Sequence, residues 1–218
     1  QATSAFGRED HLVLIDCEKE DFSTLPLPSN SRLWVFDSGI KHDLVDSHYA
    51  QRHDECQLAL ELIQKNTASP SCLAKADEPL LEKADLPALV KKRALHVVRE
   101  QERVRLFHEG LQNKTNSKTL GLLLTDSHNS SSELFENSCP ELDALVQFLV
   151  EREEVLGARL TGGGFGGAVL AWTTTEFKQT EADEIASTYK KQFGHCPQTH
   201  CFTPSRGASV ENRKETKD

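Results

Sequence analysis

The sequence predicts an α+β protein: a mainly antiparallel sheet with helices packed on one face. Three observations carry this. Two short β-branched runs open the chain, a long helical middle follows, and strand character returns only near the end. The order is two strands, several helices, then β-loop-β-α-β, and it lacks the regular βαβα alternation of a parallel sheet. The 218 residues and 24.3 kDa leave room for one substantial domain or two small ones with a real core.

His11-Leu12-Val13-Leu14-Ile15-Asp16 reads as the first strand. A turn-rich connection is expected over Ser23 to Ser31, with Pro26 and Pro28, and Leu33-Trp34-Val35-Phe36 reads as the second strand, ending at Asp37-Ser38-Gly39. From Ser47 the period changes: Cys56, Ala59, Leu60 and Ile63 fall on one helical face. Pro87 marks a helix start, and Leu89, Val90, Ala94, Val97, Val98 and Val104 form an approximate stripe. A further helix is predicted over Leu120 to Asp126. Ser138-Cys139-Pro140-Glu141 has the form of a capping box with proline in the first turn, followed by Leu142, Leu145, Val146 and Leu149 on one stripe. Ala158-Arg159-Leu160 and Ala168-Val169-Leu170-Ala171-Trp172 read as strands around a glycine loop. A helix over Glu181 to Phe193, a last strand over Thr199 to Thr203 and a fraying polar tail from Arg206 to Asp218 complete the expectation.

Composition narrows the function. With 37% hydrophobic and 27% charged residues the chain is globular rather than disordered. No stretch approaches the roughly 18 apolar residues of a membrane span, and the first ten residues lack a signal-peptide layout. A net charge of −9 disfavours nucleic acid or an anionic membrane as the main partner. The six cysteines form no C-x-x-C pair, so reduced thiols in a cytoplasmic protein are expected. Methionine is absent, position 1 included, so a processed chain or a fragment is expected.

Thr161-Gly162-Gly163-Gly164-Phe165-Gly166-Gly167 is the most informative segment, holding five of the twelve glycines. Glycine allows positive φ and lets backbone N–H groups converge on an anion. Gly162, Gly164 and Gly167 satisfy G-x-G-x-x-G, but a strand follows where a dinucleotide fingerprint needs a helix, and the Gly-Lys-Ser/Thr of a P-loop is missing. Two readings stay open: a ligand-free tight turn between strands, or a loop that closes over phosphates or a transferring phosphoryl group. His42, His48 and His53 have no convincing metal-pair spacing, and His128 after Asp126-Ser127 reads as a capping or packing residue rather than a relay. Lys91, Lys92, Arg93, Arg99, Arg103 and Arg105, interrupted by Glu100 and Glu102, read as a solvated helix face.

Leu160 through Gly167 resembles the third motif of the GHMP small-molecule kinases, galactokinases in particular. Leu160 stands where methionine is usual, and Ala168 where cysteine is common. His11 to Cys17 is similar to that family's H-A-L-L-I-D-C. Asp37-Ser38 through Lys41-His42, Ser47-His48-Tyr49 and Arg52 to Cys56 resemble its N-S-x-x-R-x-x-L-x-x-S-x-Y-x-x-R-x-x-x-C run. Lys92-Arg93 with His96, Asp126-Ser127-His128 and Ser138 to Leu142 follow in the family's order, so the likeness covers roughly residues 1 to 210.

The resemblance implies a ferredoxin-like GHMP kinase C-terminal domain over 31–205. Residues 1–30 would be the end of an N-terminal domain or an inter-domain segment, and 206–218 a tail. It implies transfer of the γ-phosphate of ATP to the C1 hydroxyl of galactose with Mg²⁺. The family's first and second motifs are missing, and Gln1 to Gly7 looks like the continuation from its catalytic M-D-Q. The chain is therefore expected to begin just after the catalytic aspartate, to hold no catalytic base and no metal ligand, and to be inactive without the upstream half. Thr161, Gly162, Gly163, Gly164, Phe165, Gly166 and Gly167 would lie beside the phosphoryl group. Tyr49 would contact the sugar, and Lys41, in place of an arginine, the phosphates. Related readings are an N-acetylgalactosamine or arabinose kinase, or a non-catalytic galactokinase-like sugar sensor. Replacing Gly164 with valine is expected to abolish turnover with little loss of folding.

Overall fold

The computed structural model describes residues 2–40, 45–65 and 69–209, without the side chains of 45–47. A short helix α1 (Ala2–Phe6) leads into a hairpin of β1 (His11–Asp16) and β2 (Asp21–Pro26), paired antiparallel from His11↔Pro26 to Asp16↔Asp21. The Asp16 carboxylate accepts the N–H groups of Glu18 and Lys19 across the turn, both at 3.1 Å. β2 corrects the expected loop. Pro26 closes the strand instead of interrupting it, and pairing with β1 organises Phe22 to Leu25 despite the turn-forming residues beyond.

The main sheet has four strands, β3 (Ser31–Asp37), β4 (Val155–Thr161), β5 (Ala168–Thr174) and β6 (Gln198–Phe202), in the order β4-β5-β3-β6, all neighbours antiparallel. With α6 (Pro140–Val150) between β3 and β4 and α7 (Gln179–Phe193) between β5 and β6, this is the ferredoxin-like β-α-β-β-α-β arrangement. Side chains alternate across the sheet. Trp34, Phe36, Leu160, Val169 and Ala171 bury against Leu142, Leu145 and Leu149 of α6 and Ala182, Ile185 and Tyr189 of α7. Each large side chain so buried contributes about 1.5–3 kcal/mol.

The helices between β3 and α6 are α2 (Val45–Gln64), α3 (Glu78–Lys83), α4 (Ala88–Gln112) and α5 (Ser117–Ser130), the last running into a π-helical turn, Ser131–Phe135. At 25 residues, α4 is about 37 Å long. Its first half packs Val90, Ala94 and Val98 with Ala59 and Ile63 of α2 and Leu81 of α3. Its far end places Phe107 and Leu111 with Leu120 of α5, hairpin leucines Leu12 and Leu25, and Leu33, Leu156 and Trp172. Thus α6 and α7 share one face of the sheet as expected, while the leucines of the second face are covered as well.

α5 closes the outer edge of β4. The free N–H groups of Ala158 and Leu160 donate to Thr125 Oγ1 (3.4 Å) and His128 Nδ1 (3.2 Å), so the strand has no template for further pairing there. Two glycines permit this approach. A Cβ on Gly121 would lie 2.1 Å from the Leu156 carbonyl oxygen, and one on Gly157 would lie 1.9 Å from that of Gly121.

Two local expectations change. α6 starts at Pro140 with Cys139 as the cap residue and no side-chain cap, because Ser138 Oγ donates to Asp143 Oδ1 instead (2.5 Å). The expected fray at Arg206 is contradicted at its start: the N–H groups of Gly207 and Ala208 donate to the carbonyls of Gly7 and Ser4, at 2.8 and 2.7 Å. Residues 210–218 lie outside the described residues.

Candidate functional site

The glycine loop joins β4 to β5, and its backbone explains its composition. Gly162, Gly164, Gly166 and Gly167 have φ of +81, +80, +123 and +82°, and Phe165 has +59°. Gly164 is wedged from behind. A Cβ there would lie 2.0 Å from the Asn137 carbonyl oxygen and 2.8 Å from its Nδ2. Asn137 brackets this point twice, since its carbonyl accepts the Phe165 N–H at 2.6 Å and its Nδ2 donates to the Gly163 carbonyl at 3.1 Å. Valine at Gly164 would therefore disrupt the fold itself, which corrects the expectation of intact folding.

The outer side of the loop is different. A Cβ on Gly162, Gly163 or Gly167 would meet nothing within 4 Å. Among the described residues the N–H groups of Gly162, Gly163 and Gly166 have no hydrogen-bond acceptor, whereas that of Gly167 donates to the Ile40 carbonyl at 3.0 Å. The loop thus combines N–H groups that lack an acceptor among the described residues with open space on the Cβ side of Gly162, Gly163 and Gly167, and Asn137 holds it from behind at Gly164.

α2 supplies part of the hold. His48 packs its ring 5.0 Å from that of Phe165, and the Arg52 guanidinium lies 5.7 Å above the Phe165 ring. Cation–π attraction of this kind is worth about 0.5–2 kcal/mol. Arg52 also donates through Nε to the Phe135 carbonyl (2.6 Å) and through Nη2 to that of Glu136 (2.9 Å). Arg93 of α4 donates through Nη1 to the Leu134 carbonyl (2.5 Å), through Nε to Glu55 (2.7 Å) and through Nη2 to Glu136 (2.8 Å). Glu136 is held below the usual carboxylate range by its bond to Arg93, against a smaller opposing effect of burial.

Arg93 is only 1% exposed, which overturns its reading as part of a solvated face. Glu55 and Glu136 make that burial tolerable. Neither Arg52 nor Arg93 is singled out as a site residue by the sequence, since only their motif positions draw notice.

His128 is buried and structural, as read. Because Leu160 N–H donates to its Nδ1, the proton sits on Nε2, which donates to Asp143 Oδ1 at 3.1 Å. Burial alone would raise the Asp143 carboxyl. Bonds from His128, Ser138 and Ser132 outweigh it and hold the group below its ordinary value. Burial pushes His96 down to about 4, and its neutral ring stacks on Phe135 with Nδ1 2.9 Å from Ser130 Oγ.

Of the sequence-predicted residues, Thr161 to Gly167 form this loop. Tyr49 lies on α2 beside His48 and is 61% exposed. Lys41 lies outside the described residues, as does His42. Among the described residues no group of three or more His, Cys, Asp or Glu side chains is placed to hold a metal ion. The loop's backbone donors suit phosphate oxygens. None of the described helices is long and apolar enough to cross a membrane.

A family model described as GHMP kinases C terminal matches residues 107–195, a span that includes the glycine loop. A galactokinase of Glaesserella parasuis serovar 5 is 36% identical over 211 residues, covering 96% of this chain and 55% of that protein. A galactokinase of Thermotoga neapolitana is 38% identical over 194 residues, covering 88% of this chain and 53% of that protein. The chain spans about half the length of these curated relatives. Among solved structures, Lactococcus lactis galactokinase complexed with galactose superimposes with a TM-score of 0.87 at 24% identity, over 94% of this chain and 53% of that one. Homoserine kinase from Cytophaga hutchinsonii gives 0.52 at 16% identity, over 94% and 50%. At these identities the structural likeness concerns the fold.

Proposed function

We propose, on the premise that this chain carries a GHMP kinase C-terminal domain, that it is the C-terminal portion of a galactokinase-type sugar kinase. The reaction is transfer of the γ-phosphate of ATP to the C1 hydroxyl of galactose in the cytoplasm. The observation that carries this reading is the two-sidedness of the glycine loop, anchored behind by Asn137 and open in front at Gly162, Gly163 and Gly167. Phosphoryl transfer asks little covalent chemistry of a protein; it asks for positioning and for donors aimed at the charge that spreads over the phosphoryl oxygens. Backbone N–H groups fixed before the substrate arrives supply that without reorganisation.

Within this assignment the loop neutralises the transferring group, Tyr49 packs on the sugar, and Lys41 offers a charge to the phosphates. Mg²⁺, when bound, would supply positive charge against the phosphate oxygens. Its ligands and the general base are assigned to an upstream half, so this chain contributes one wall of the cleft and no proton transfer.

The same reading divides the chain into 1–30, the end of that upstream domain or an inter-domain segment, the kinase C-terminal domain at 31–205, and a tail at 206–218. Support comes from the hairpin. It is a separate two-stranded sheet, marginal on its own, and a cavity of about 620 Å³ lined by Leu12, Leu25, Leu27, Phe107 and Trp172 lies beneath it.

The full-length polypeptide should convert galactose and ATP to galactose 1-phosphate, detected by coupled ADP release, and the 218-residue chain alone should give none. Turnover by the chain alone would refute the division of labour. Absence of galactose-dependent turnover in the full-length protein would refute the substrate.

A further inference from the structure

The cavity beneath the hairpin has an apolar body and a cationic side. Its volume of about 620 Å³ lies within the roughly 300–1,000 Å³ of small-molecule sites. Leu12 of the hairpin and Leu27 just beyond it, Phe107 of α4, and Leu170 and Trp172 of β5 line the body. The floor is the face of the main sheet turned away from α6 and α7. Ala158 and Leu160 of β4 belong to the core under those two helices, so Arg159 between them emerges on the other face, directly across from Leu170.

Among the described residues, the lining carries three charged carboxylate or guanidinium groups: Glu100, Arg103 and Arg159. Two guanidinium groups thus stand against one carboxylate. Glu100 is already engaged, since it accepts from Arg103 Nε at 2.5 Å and from Ser127 Oγ at 2.6 Å. Arg159 reaches it only at 3.9 Å, through Nη1, and its Nε donates to the Leu160 carbonyl at 3.0 Å. One positive charge is therefore left without a counter-charge on the lining. Two donors of lining residues also lack acceptors: Arg103 Nη2 and Trp172 Nε1 are buried with no hydrogen-bond partner among the described residues. Buried donors in that condition are rare in native structures and call for an explanation.

We propose that this cavity binds an amphipathic carboxylate, a medium-chain fatty acid being the type. The alkyl chain lies between the hairpin and the sheet, and the carboxylate answers the excess charge of Arg159 and Arg103, whose planar donor forks match its two oxygens. A neutral apolar molecule would leave that charge unanswered, and a short anion would leave the apolar walls uncovered. The site stands on the cavity's own residues. A consequence for catalysis rests on the reading that gives residues 1–30 to an upstream domain: the ligand then sits between two domains and biases how they close on the substrates.

The test is isothermal titration calorimetry of the full-length polypeptide with decanoate, decanol and acetate. Decanoate should bind at one saturable site. Decanol should bind at least about tenfold more weakly, the scale of a lost charge-assisted hydrogen bond, and acetate should show no binding. Arg159→Gln should bring decanoate down to the affinity of decanol, and Leu170→Phe, which fills the body, should abolish binding of both. Three results overturn the proposal: no decanoate binding, as when the upstream half fills the cavity; equal affinity for decanoate and decanol; or decanoate binding unmoved by Arg159→Gln. Should the variants fail to fold, nuclear Overhauser contacts between decanoate and the wild-type protein decide the matter. Contacts to the methyl groups of Leu12 and Leu170 support the site, and contacts confined elsewhere refute it. Decanoate and galactose should also change each other's affinity by the same factor, about fivefold or more. Decanoate binding without that coupling would count against the interdomain placement and leave the site standing. Galactose turnover without decanoate binding would remove the site and leave the kinase reading standing.

Discussion

Two stretches lie back to back in this molecule and treat their backbone polar groups in opposite ways. In the π-helical turn and the residues after it, the carbonyls of Leu134, Phe135 and Glu136 are each taken by an arginine donor, at 2.5, 2.6 and 2.9 Å. In the glycine loop the Phe165 and Gly167 N–H groups are tied down, while among the described residues those of Gly162, Gly163 and Gly166 are left to whatever approaches from outside. One stretch is satisfied internally and serves as an anchor. The other is held rigid by that anchor with donors to spare, the condition a preorganised anion cradle requires. Substitutions in the anchor should therefore be read out as stability, and substitutions on the open side of the loop as function.

The largest effect is expected at the centre of the anchor. Arg93→Ala takes from buried Glu55 its shorter ion pair, leaving it Arg52 at 3.3 Å and Gln51 at 2.9 Å, and strips the Leu134 carbonyl of its donor; loss of one member of a buried ion network costs about 3–5 kcal/mol. Urea unfolding should show a midpoint shift of that size; a loss below about 1 kcal/mol would mean that the anchor is not what holds the turn. Next comes Gly164→Val. A residue with a Cβ would meet the Asn137 carbonyl at 2.0 Å with φ at +80°, and strain plus overpacking there should remove about 2–4 kcal/mol. Wild-type stability in this variant would place Gly164 on the open side with its neighbours.

The same contrast explains what was legible in the sequence. Five glycines in seven residues announce a special backbone, and the strands on either side follow from their β-branched runs, so the loop and its setting could be located directly. The anchor could not. Arg93 sits in a run of basic residues that periodicity alone assigns to solvent, and its partners Glu55 and Glu136 are 38 and 43 positions away. Only the fold brings them together. β2 was hidden for a related reason: its pairing with β1 outweighs the turn-forming residues beyond it. Tyr49 is nominated by family resemblance and by nothing in its local sequence. Local chemistry was readable, and long-range partnership was not.

The smallest expected change in stability is the most informative about function. Gly163 lies between Gly162 and Gly164 but, unlike them, is not at positive φ, and a Cβ on it meets nothing within 4 Å. Gly163→Ala should therefore fold as well as the wild type, within about 0.5–1 kcal/mol and in the stabilising direction, because alanine restricts the unfolded chain. A methyl group on the open side nevertheless stands where a phosphoryl group would approach the Gly162 and Gly163 amides. In the full-length polypeptide, kcat should fall by about 10²-fold, the scale of losing one oxyanion-type donor, with the unfolding midpoint unchanged or slightly raised. Unchanged kcat with unchanged stability would make the open side of the loop a mere turn. Lost stability would mean that Gly163 belongs to the anchor, and the division between the two stretches would then run one residue earlier than the contacts place it.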